Sequence, residues 1–199
     1  MTGTGTPPGH PTLPLSVGLL SRRSISGAIV VGVIAVLYIA VLPWIGHIAS
    51  GEQSFDAGEP YVVAGSVQIT PEADWKLDPT SNELFTTLTK SGAALIITGA
   101  VADDRSAEEM AQTASEGLRA DPENTWVIAD PQTFVTDAGD HGVTVVGHTP
   151  STANESWFIV TETQSITILA TSPDGVWASV SSEMDAMVRS VVLVDGGAE

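Results

Sequence analysis

An apolar run over residues 25–48 is the feature that most constrains this chain of 199 residues. It has no acidic or basic residue except His47 near its end, and it follows Arg22 and Arg23. A helix rising about 1.5 Å per residue covers roughly 31 Å over residues 25–45, which is the thickness of the hydrocarbon core of a bilayer. Trp44 falls near the far interface. We therefore predict one transmembrane helix over residues 24–48.

The flanking charges predict the orientation of this helix. Arg22 and Arg23 lie on its N-terminal side, whereas Glu52, Asp56 and Glu59 follow it. The positive-inside rule places the N-terminus in the cytoplasm and the C-terminal part outside. A cleavable signal peptide is the alternative, but the run is longer than the usual apolar region of about 7–15 residues and no good cleavage site follows it. We expect an uncleaved single-pass protein of the cell membrane.

Small residues recur at one helical spacing within this run. Ser24, Ala28 and Gly32 form a small-xxx-small stripe that would let a second helix approach closely. The stripe is a candidate site for helix association with a protein partner in the membrane.

The charge of the chain excludes one class of partner. All 24 acidic residues follow position 50 with only five basic ones, so this part carries −19. Such a polyanion would repel nucleic acid, and we predict no nucleic-acid partner. The charge serves solubility, or it forms a docking surface for a basic partner or a cation. The absence of cysteine excludes disulfides and thiolate metal sites, and no motif indicates a cofactor.

Composition divides the chain into four parts. Residues 1–23 are rich in Pro, Gly and Thr without apolar periodicity and are predicted to be a disordered cytoplasmic tail. The transmembrane helix (24–48) and a short acidic stalk (49–60) follow. Residues 61–195 are enough for one extracytoplasmic domain with its own core.

Alternation of apolar and polar residues predicts several strands in this domain. Residues 61–70 alternate at period two and predict one strand. Residues 83–88 and the nearly all-apolar 93–101 read as a hairpin, and the second of these strands is expected to be central. Further strands are predicted at 126–129 or through 135, 143–147, 156–161 and 165–171, the last two as antiparallel neighbours.

Two helices complete the pattern. Ser106 and Glu109 form a capping box, and a helix should run to about residue 118 with a buried stripe of Met110, Ala114 and Leu118. A second helix begins near residue 174. One face of it carries the apolar side chains Val176, Val180, Met184, Met187, Val188 and Val191, while Ser181, Glu183 and Asp185 occupy other faces. The fold class predicted is α+β, a mostly antiparallel sheet with two packed helices.

Four local patterns resemble the Mog1/PsbP-like fold: Pro71 followed by Trp75, an apolar strand before the capped helix at 106–111, a Trp-led strand at Trp157, and a closing helix that ends in residues 187–191. That fold occurs in extracytoplasmic domains of actinobacterial envelope proteins, including LpqN-like lipoproteins. The resemblance implies a non-catalytic binding or assembly domain and brings no catalytic residue. This chain differs from the lipoproteins because an apolar helix stands where they have a lipidated cysteine.

The densest polar cluster is Asp137, Asp140 and His141, with His148 following on the next predicted strand. These side chains could bind a divalent cation, but Asp and Gly at this spacing are also typical of a turn. We expect a turn and no metal. A hydrolase would require His148 to converge with Asp140 and with either His141 or Ser151, and no nucleophile motif supports that.

The tryptophans leave another alternative open. Trp75, Trp126, Trp157 and Trp177 could line a groove for an apolar ligand or lipid, or they could fill the core. The sequence thus predicts a non-enzymatic, membrane-anchored interaction or assembly module, such as an accessory subunit of an envelope or membrane complex. An apolar-ligand or lipid carrier and an enzyme are the alternatives.

Overall fold

The computed structural model describes residues 53–120, 126–162 and 164–194. The predicted cytoplasmic tail, the predicted transmembrane helix and the stripe of Ser24, Ala28 and Gly32 lie outside these residues. No helix within the described ranges is both long enough and apolar enough to cross a membrane.

The described residues form short and long strands and two helices. The strands are β1 (Gln53–Ser54), β2 (Tyr61–Val63), β3 (Val67–Ile69), β4 (Lys76–Leu77), β5 (Phe85–Lys90), β6 (Ala93–Thr98), β7 (Val101–Ala102), β8 (Val127–Ile128), β9 (Gln132–Val135), β10 (His141–His148), β11 (Thr152–Val160), β12 (Gln164–Pro173) and β13 (Val192–Leu193). The helices are α1 (Ala107–Ala120) and α2 (Asp174–Arg189).

The strands form one large sheet and one small sheet. The large sheet has the order β1-β4-β5-β6-β12-β11-β10-β8, with β7 beside β12 and β9 beside β10. The small sheet has the order β13-β3-β2. Every strand pair between described residues is antiparallel. The predicted α+β class with a mostly antiparallel sheet and two helices is confirmed.

Side chains of opposite parity on each long strand point to opposite faces of the large sheet. Trp157 lies on the face that packs against α2 and the small sheet, which we call face A. Its neighbour Phe158 lies on the other face, face B, where it packs against Met110 of α1. The predicted stripe of α2 faces the sheet, and its Met184 is 0% exposed. The predicted stripe of α1 is confirmed only at Met110, which is 1% exposed. Ala114 and Leu118 are half-buried, and the other buried residues of α1 are Ala107, Ala111 and Ser115.

The prediction of a single strand over residues 61–70 is wrong. Residues 61–69 form a hairpin of β2 and β3, in which Val63 is paired with Val67. Ala64 (φ 46°) and Gly65 (φ 74°) adopt the left-handed conformation that the turn requires. Val63 and Val67 are four positions apart, which is an even number. The alternation of apolar and polar residues therefore continues unchanged through the turn, and the sequence pattern looks like one strand.

The packed domain begins before the predicted boundary at residue 61. Within the region assigned to the stalk, β1 pairs with β4, and Phe55 is 9% exposed in the main core. The Phe55 N–H donates to the Trp75 carbonyl at 3.2 Å. The described part of the stalk therefore contributes an edge strand and a core side chain.

The strand predicted over 93–101 ends at Thr98. Gly99 follows, and a Cβ at this position would lie 3.0 Å from the Ala64 carbonyl oxygen. Its N–H donates to the Leu84 carbonyl at 2.9 Å. The chain thus leaves the ladder where two other backbone segments approach closely, and it resumes pairing, now with β12 alone, at Val101.

Candidate functional site

The polar cluster at 137–141 lies in the connection between β9 and β10. The Thr136 N–H donates to the Asp140 carbonyl at 2.9 Å, and the Thr136 hydroxyl accepts from the Asp140 N–H at 3.0 Å. Gly139 has φ of 93°. Asp137 and Asp140 are therefore turn residues, as the turn interpretation requires.

His141 is not in the turn. It is the first residue of β10, it is exposed, and it stands opposite Val135 on one side and Val160 on the other. No group of three or more His, Asp or Glu side chains in the described residues is arranged to hold a metal ion.

The two histidines of β10 are far apart. His141 and His148 are the first and last residues of this strand, and an extended chain of that length separates them by about 23 Å. Asp140 precedes His141, and Ser151 follows His148 in the next turn. The structure does not bring Asp140, His141 and His148, or Asp140, His148 and Ser151, into one cleft.

A cavity of about 260 Å³ lies beside His141. Its wall is formed by residues 106–108 at the start of α1, Thr133 of β9, His141 and Gly142 of β10, and Val160 of β11. The residues on this wall that carry polar side chains include Glu108, His141 and Thr133. The volume is slightly below the roughly 300–1,000 Å³ of pockets for drug-sized ligands and suits one long side chain.

Two backbone amides at the N-terminus of α1 are engaged in a reciprocal pair of hydrogen bonds. The Glu109 N–H donates to the Ser106 hydroxyl at 3.1 Å, and the Ser106 N–H donates to the Glu109 carboxylate at 3.0 Å. This is the predicted capping box, which satisfies two donors of the first turn. Glu108 lies on the same wall and brings a negatively charged side chain to this side of the cavity.

Arg105, just before α1, is already paired. Its guanidinium donates to both carboxylate oxygens of Asp103. This hydrogen bond is the main reason that the pKa of Asp103 lies below its usual value, although burial opposes the shift. The charge of Arg105 also acts on Asp104 and Glu109. Arg105 is therefore engaged by its own segment.

Arg189, the last residue of α2, holds the β9–β10 connection in place. Its Nε donates to Asp185 at 2.8 Å, and its guanidinium lies 5.9 Å from the centre of the Phe134 ring. Its Nη1 donates to the Val135 carbonyl at 3.4 Å, and its own carbonyl accepts from the Asp137 N–H at 2.8 Å. The position of β9 is thus fixed from face A, and the cavity lies on face B.

A second polar cluster joins α2 to the large sheet. Trp75 is 0% exposed, and its Nε1–H donates to Glu183 at 2.8 Å. Lys90 Nζ contacts both oxygens of Glu183 at 2.9 and 2.7 Å and the Ala73 carbonyl at 2.8 Å. Glu183 lies outside the apolar stripe of α2, as predicted, and its carboxylate faces the β5–β6 hairpin.

One carboxyl lies between α2 and β10 on face A. Burial raises the pKa of Glu155, the hydrogen bond from the Thr144 hydroxyl at 2.8 Å opposes the shift, and the charge of Asp185 adds to it. Glu155 is a carboxyl that folding makes harder to ionise.

The tryptophans do not line a common groove. Trp75 and Trp157 are 0% and 1% exposed in the main core. Trp177 is half-buried against the same core, whereas the Trp126 ring would approach a Cβ at Gly147, on face B, to 3.5 Å. Core packing accounts for two of the four rings, and the other two lie on different faces.

Comparison with known proteins gives structural neighbours only. No family model matches the chain, and no curated protein matches it. The structure is similar to that of cyanobacterial PsbP (CyanoP) from Synechocystis, with a TM-score of 0.49 and 11% identity over 74% of this chain and 99% of that one. It is similar to LpqN, a protein involved in cell envelope biogenesis of Mycobacterium tuberculosis, with a TM-score of 0.49 and 13% identity over 73% of this chain and 91% of LpqN.

A protein from Bacteroides thetaiotaomicron is a more distant neighbour, with a TM-score of 0.42 and 14% identity over 71% of this chain and 50% of that one. At such identities and TM-scores, none of the three assigns a family or a function to this chain.

Proposed function

We propose that the chain is a membrane-anchored, non-catalytic interaction module whose acidic α+β domain lies outside the cytoplasm and docks a basic protein partner of the envelope or membrane. The anchor is the apolar run at 24–48, and the two arginines before it keep the N-terminus in the cytoplasm. The Mog1/PsbP-like sequence patterns support the same interpretation.

The observation that carries the proposal is the surplus of carboxylates over cations. Residues after position 50 include 24 acidic and five basic side chains. Three of the cations, Lys90, Arg105 and Arg189, form ion pairs within the described residues. The remaining carboxylates have too few internal counterions, so their field attracts cationic groups from outside and speeds association with a basic surface.

The non-catalytic part of the proposal rests on geometry. The candidate acid–base groups Asp140, His141 and His148 lie at opposite ends of a strand rather than in one cleft. A general acid–base pair must reach the same substrate atom within hydrogen-bond distance or through one water.

Topology can be tested with single cysteines, because the natural chain has none. Ser151→Cys places a thiol at an exposed position of the domain, and Ser16→Cys places one before the arginine pair. In intact spheroplasts, a membrane-impermeant maleimide should label the Ser151 variant and spare the Ser16 variant until the membrane is opened. The reverse pattern, or labelling of neither before lysis and both after it, refutes the orientation.

The interaction can be tested with a carbodiimide, which couples carboxylates to neighbouring lysines. Membranes that contain the full-length chain should give an adduct with a second membrane or envelope protein, and mass spectrometry should locate the bond on a carboxylate of the domain. The yield should fall as salt rises, because screening weakens attraction between exposed charges. An absence of adducts at low salt refutes the proposal.

A further inference from the structure

The cavity adjoins an open edge of the large sheet. Among the described residues, β9 pairs with β10 on one side and with no strand on the other. Gln132, Thr133 and Val135 are exposed, and Val135 retains 44% of its accessible surface. An unpaired edge of this kind can receive an added strand.

The register shows which backbone groups point outward. The Thr136 N–H donates to the Asp140 carbonyl, so residues 136 and 140 form a hydrogen-bonded pair. Hydrogen-bonded and non-hydrogen-bonded pairs alternate along an antiparallel ladder. Thr133 and Val135 therefore direct their N–H and carbonyl groups away from β10. The Val135 carbonyl accepts from Arg189, which leaves the Thr133 N–H, the Thr133 carbonyl and the Val135 N–H for another chain.

The cavity lies on the same side of the sheet as the outer side chains of this edge. Thr133 and Val135 are paired with Val143 and His141, whose side chains lie on face B. A strand added beside β9 would carry alternate side chains on face B. A lysine or arginine there is long enough to pass Thr133 and reach the cavity.

The charges of the cavity determine which side chain fits. The acidic residue Glu108 lies on the wall, and Asp104 and Glu109 lie close by on the same segment. The neighbouring Arg105 is held by Asp103, so it is not available to neutralise Glu108. A cationic side chain complements this wall, whereas a carboxylate is repelled.

We propose that an extended, basic segment of a partner protein adds as a strand to β9 and places a lysine or arginine side chain in the cavity beside Glu108. The proposal deepens the proposed function and rests on it. Main-chain hydrogen bonds to Thr133 and Val135 supply the affinity, and the cavity selects the cation. Pro131 precedes β9 and limits the added strand to a short segment, so binding is weak and reversible.

The probe is a synthetic peptide of alternating threonine and valine with one central lysine and blocked ends. It is titrated against the full-length chain in detergent micelles, and amide shifts are followed by NMR. We expect shifts confined to β9, β10 and the start of α1. A peptide with glutamate in place of lysine, or with a methylated backbone nitrogen on either side of it, should not bind.

Two variants test the two halves of the site. Glu108→Gln should weaken binding about tenfold, since the substitution removes the negative charge that complements the cation. The matched control Glu116→Gln lies two turns further along α1 and should leave binding unchanged. Thr133→Pro removes an outward N–H without touching the β10 ladder and should abolish binding, whereas Thr133→Ala keeps the N–H and should bind.

The proposal is overturned if the lysine peptide does not bind at millimolar concentration, or if it binds equally well after Glu108→Gln and Thr133→Pro in chains whose other amide signals are unchanged. If the amide signals of β9 shift with protein concentration in the absence of peptide, the edge pairs with a second copy of this chain, and the proposal is also overturned. The chain that carries both Glu108→Gln and Thr133→Pro separates this proposal from the proposed function. If this chain still gives carbodiimide adducts in membranes, the proposed interaction with a basic partner is retained and only the site at β9 is refuted.

Discussion

Glu183 should contribute to stability far more than its position outside the apolar stripe of α2 suggests. In Glu183→Ala, the Trp75 Nε1–H, which is on a side chain with 0% exposure, loses its acceptor at 2.8 Å. A buried donor left without a partner costs about 1–3 kcal/mol. The ion pair to Lys90 adds little, because partly exposed pairs contribute about 0–1 kcal/mol. With an m value of about 2 kcal/mol/M, the urea midpoint of the full-length chain should fall by roughly 0.5–1.5 M.

Two variants separate the hydrogen bond from the charge. Glu183→Gln keeps an oxygen that can accept from Trp75 and should retain most of the stability. Glu59→Ala removes an exposed carboxylate without a hydrogen bond and should leave the midpoint unchanged. If Glu183→Ala and Glu59→Ala behave alike, α2 is not held to the hairpin through Trp75, and the argument fails.

The Glu183 contribution should also depend on pH. Burial alone would raise the pKa of Glu183, but hydrogen bonds from Lys90 and Trp75 and the charge of Lys90 lower it below its usual value. The ionised form is therefore favoured by folding, and its contribution is present above the pKa of the unfolded chain, about 4.3. It is lost as the pH falls through the lower folded pKa. The difference in midpoint between the natural chain and Glu183→Ala should narrow on acidification, and a difference that widens would contradict the assignment.

Three further substitutions test the core and face A. Glu155→Gln should raise the urea midpoint at pH 7 and not near pH 3, because burial raises the folded pKa of Glu155 and the ionised carboxyl opposes folding once the pH exceeds that value. Gly142→Ala should lower the free energy of unfolding by about 1–3 kcal/mol, since a Cβ would lie 2.5 Å from the Phe134 ring. Met184→Ala should cost about 2–5 kcal/mol because this side chain is 0% exposed. If any of these variants has the same urea midpoint as the natural chain at pH 7, the contact assigned to that residue is contradicted.

Elements whose signal is local could be predicted from the sequence. Ser106 and Glu109 satisfy each other within one turn, so the start of α1 needs no tertiary information. The apolar face of α2 repeats at helical spacing, and Met184 and Met187 are buried as predicted. Ser91 and Gly92 join β5 to β6, and both have positive φ. A serine followed by glycine favours such a turn, so the hairpin could be predicted from these residues.

Features that depend on distant residues could not be predicted. The β2–β3 turn keeps the parity of the alternation, and the second sheet is completed only when β13, from the other end of the domain, pairs with β3. The partner of Glu183 is 108 residues away along the chain. Only His141 of the cavity wall was a candidate from sequence, because the wall is assembled from four elements and Glu108 and Thr133 carry no motif of their own.

The placement of the cations explains why the acidic surplus faces outward. Lys90 ties the β5–β6 hairpin to α2 through Glu183, Arg105 closes the segment that leads into α1, and Arg189 ties α2 to β9. Each of these side chains connects or orders elements of the fold, so moving one to meet a surface carboxylate would sacrifice a contact that positions a helix or a strand. Glu108, on the wall of the cavity, forms no ion pair within the part of the chain that the structure describes. A counterion for Glu108 must come from solution or from a partner, and an extended segment that also pairs with β9 supplies the cation together with the backbone groups that this edge lacks.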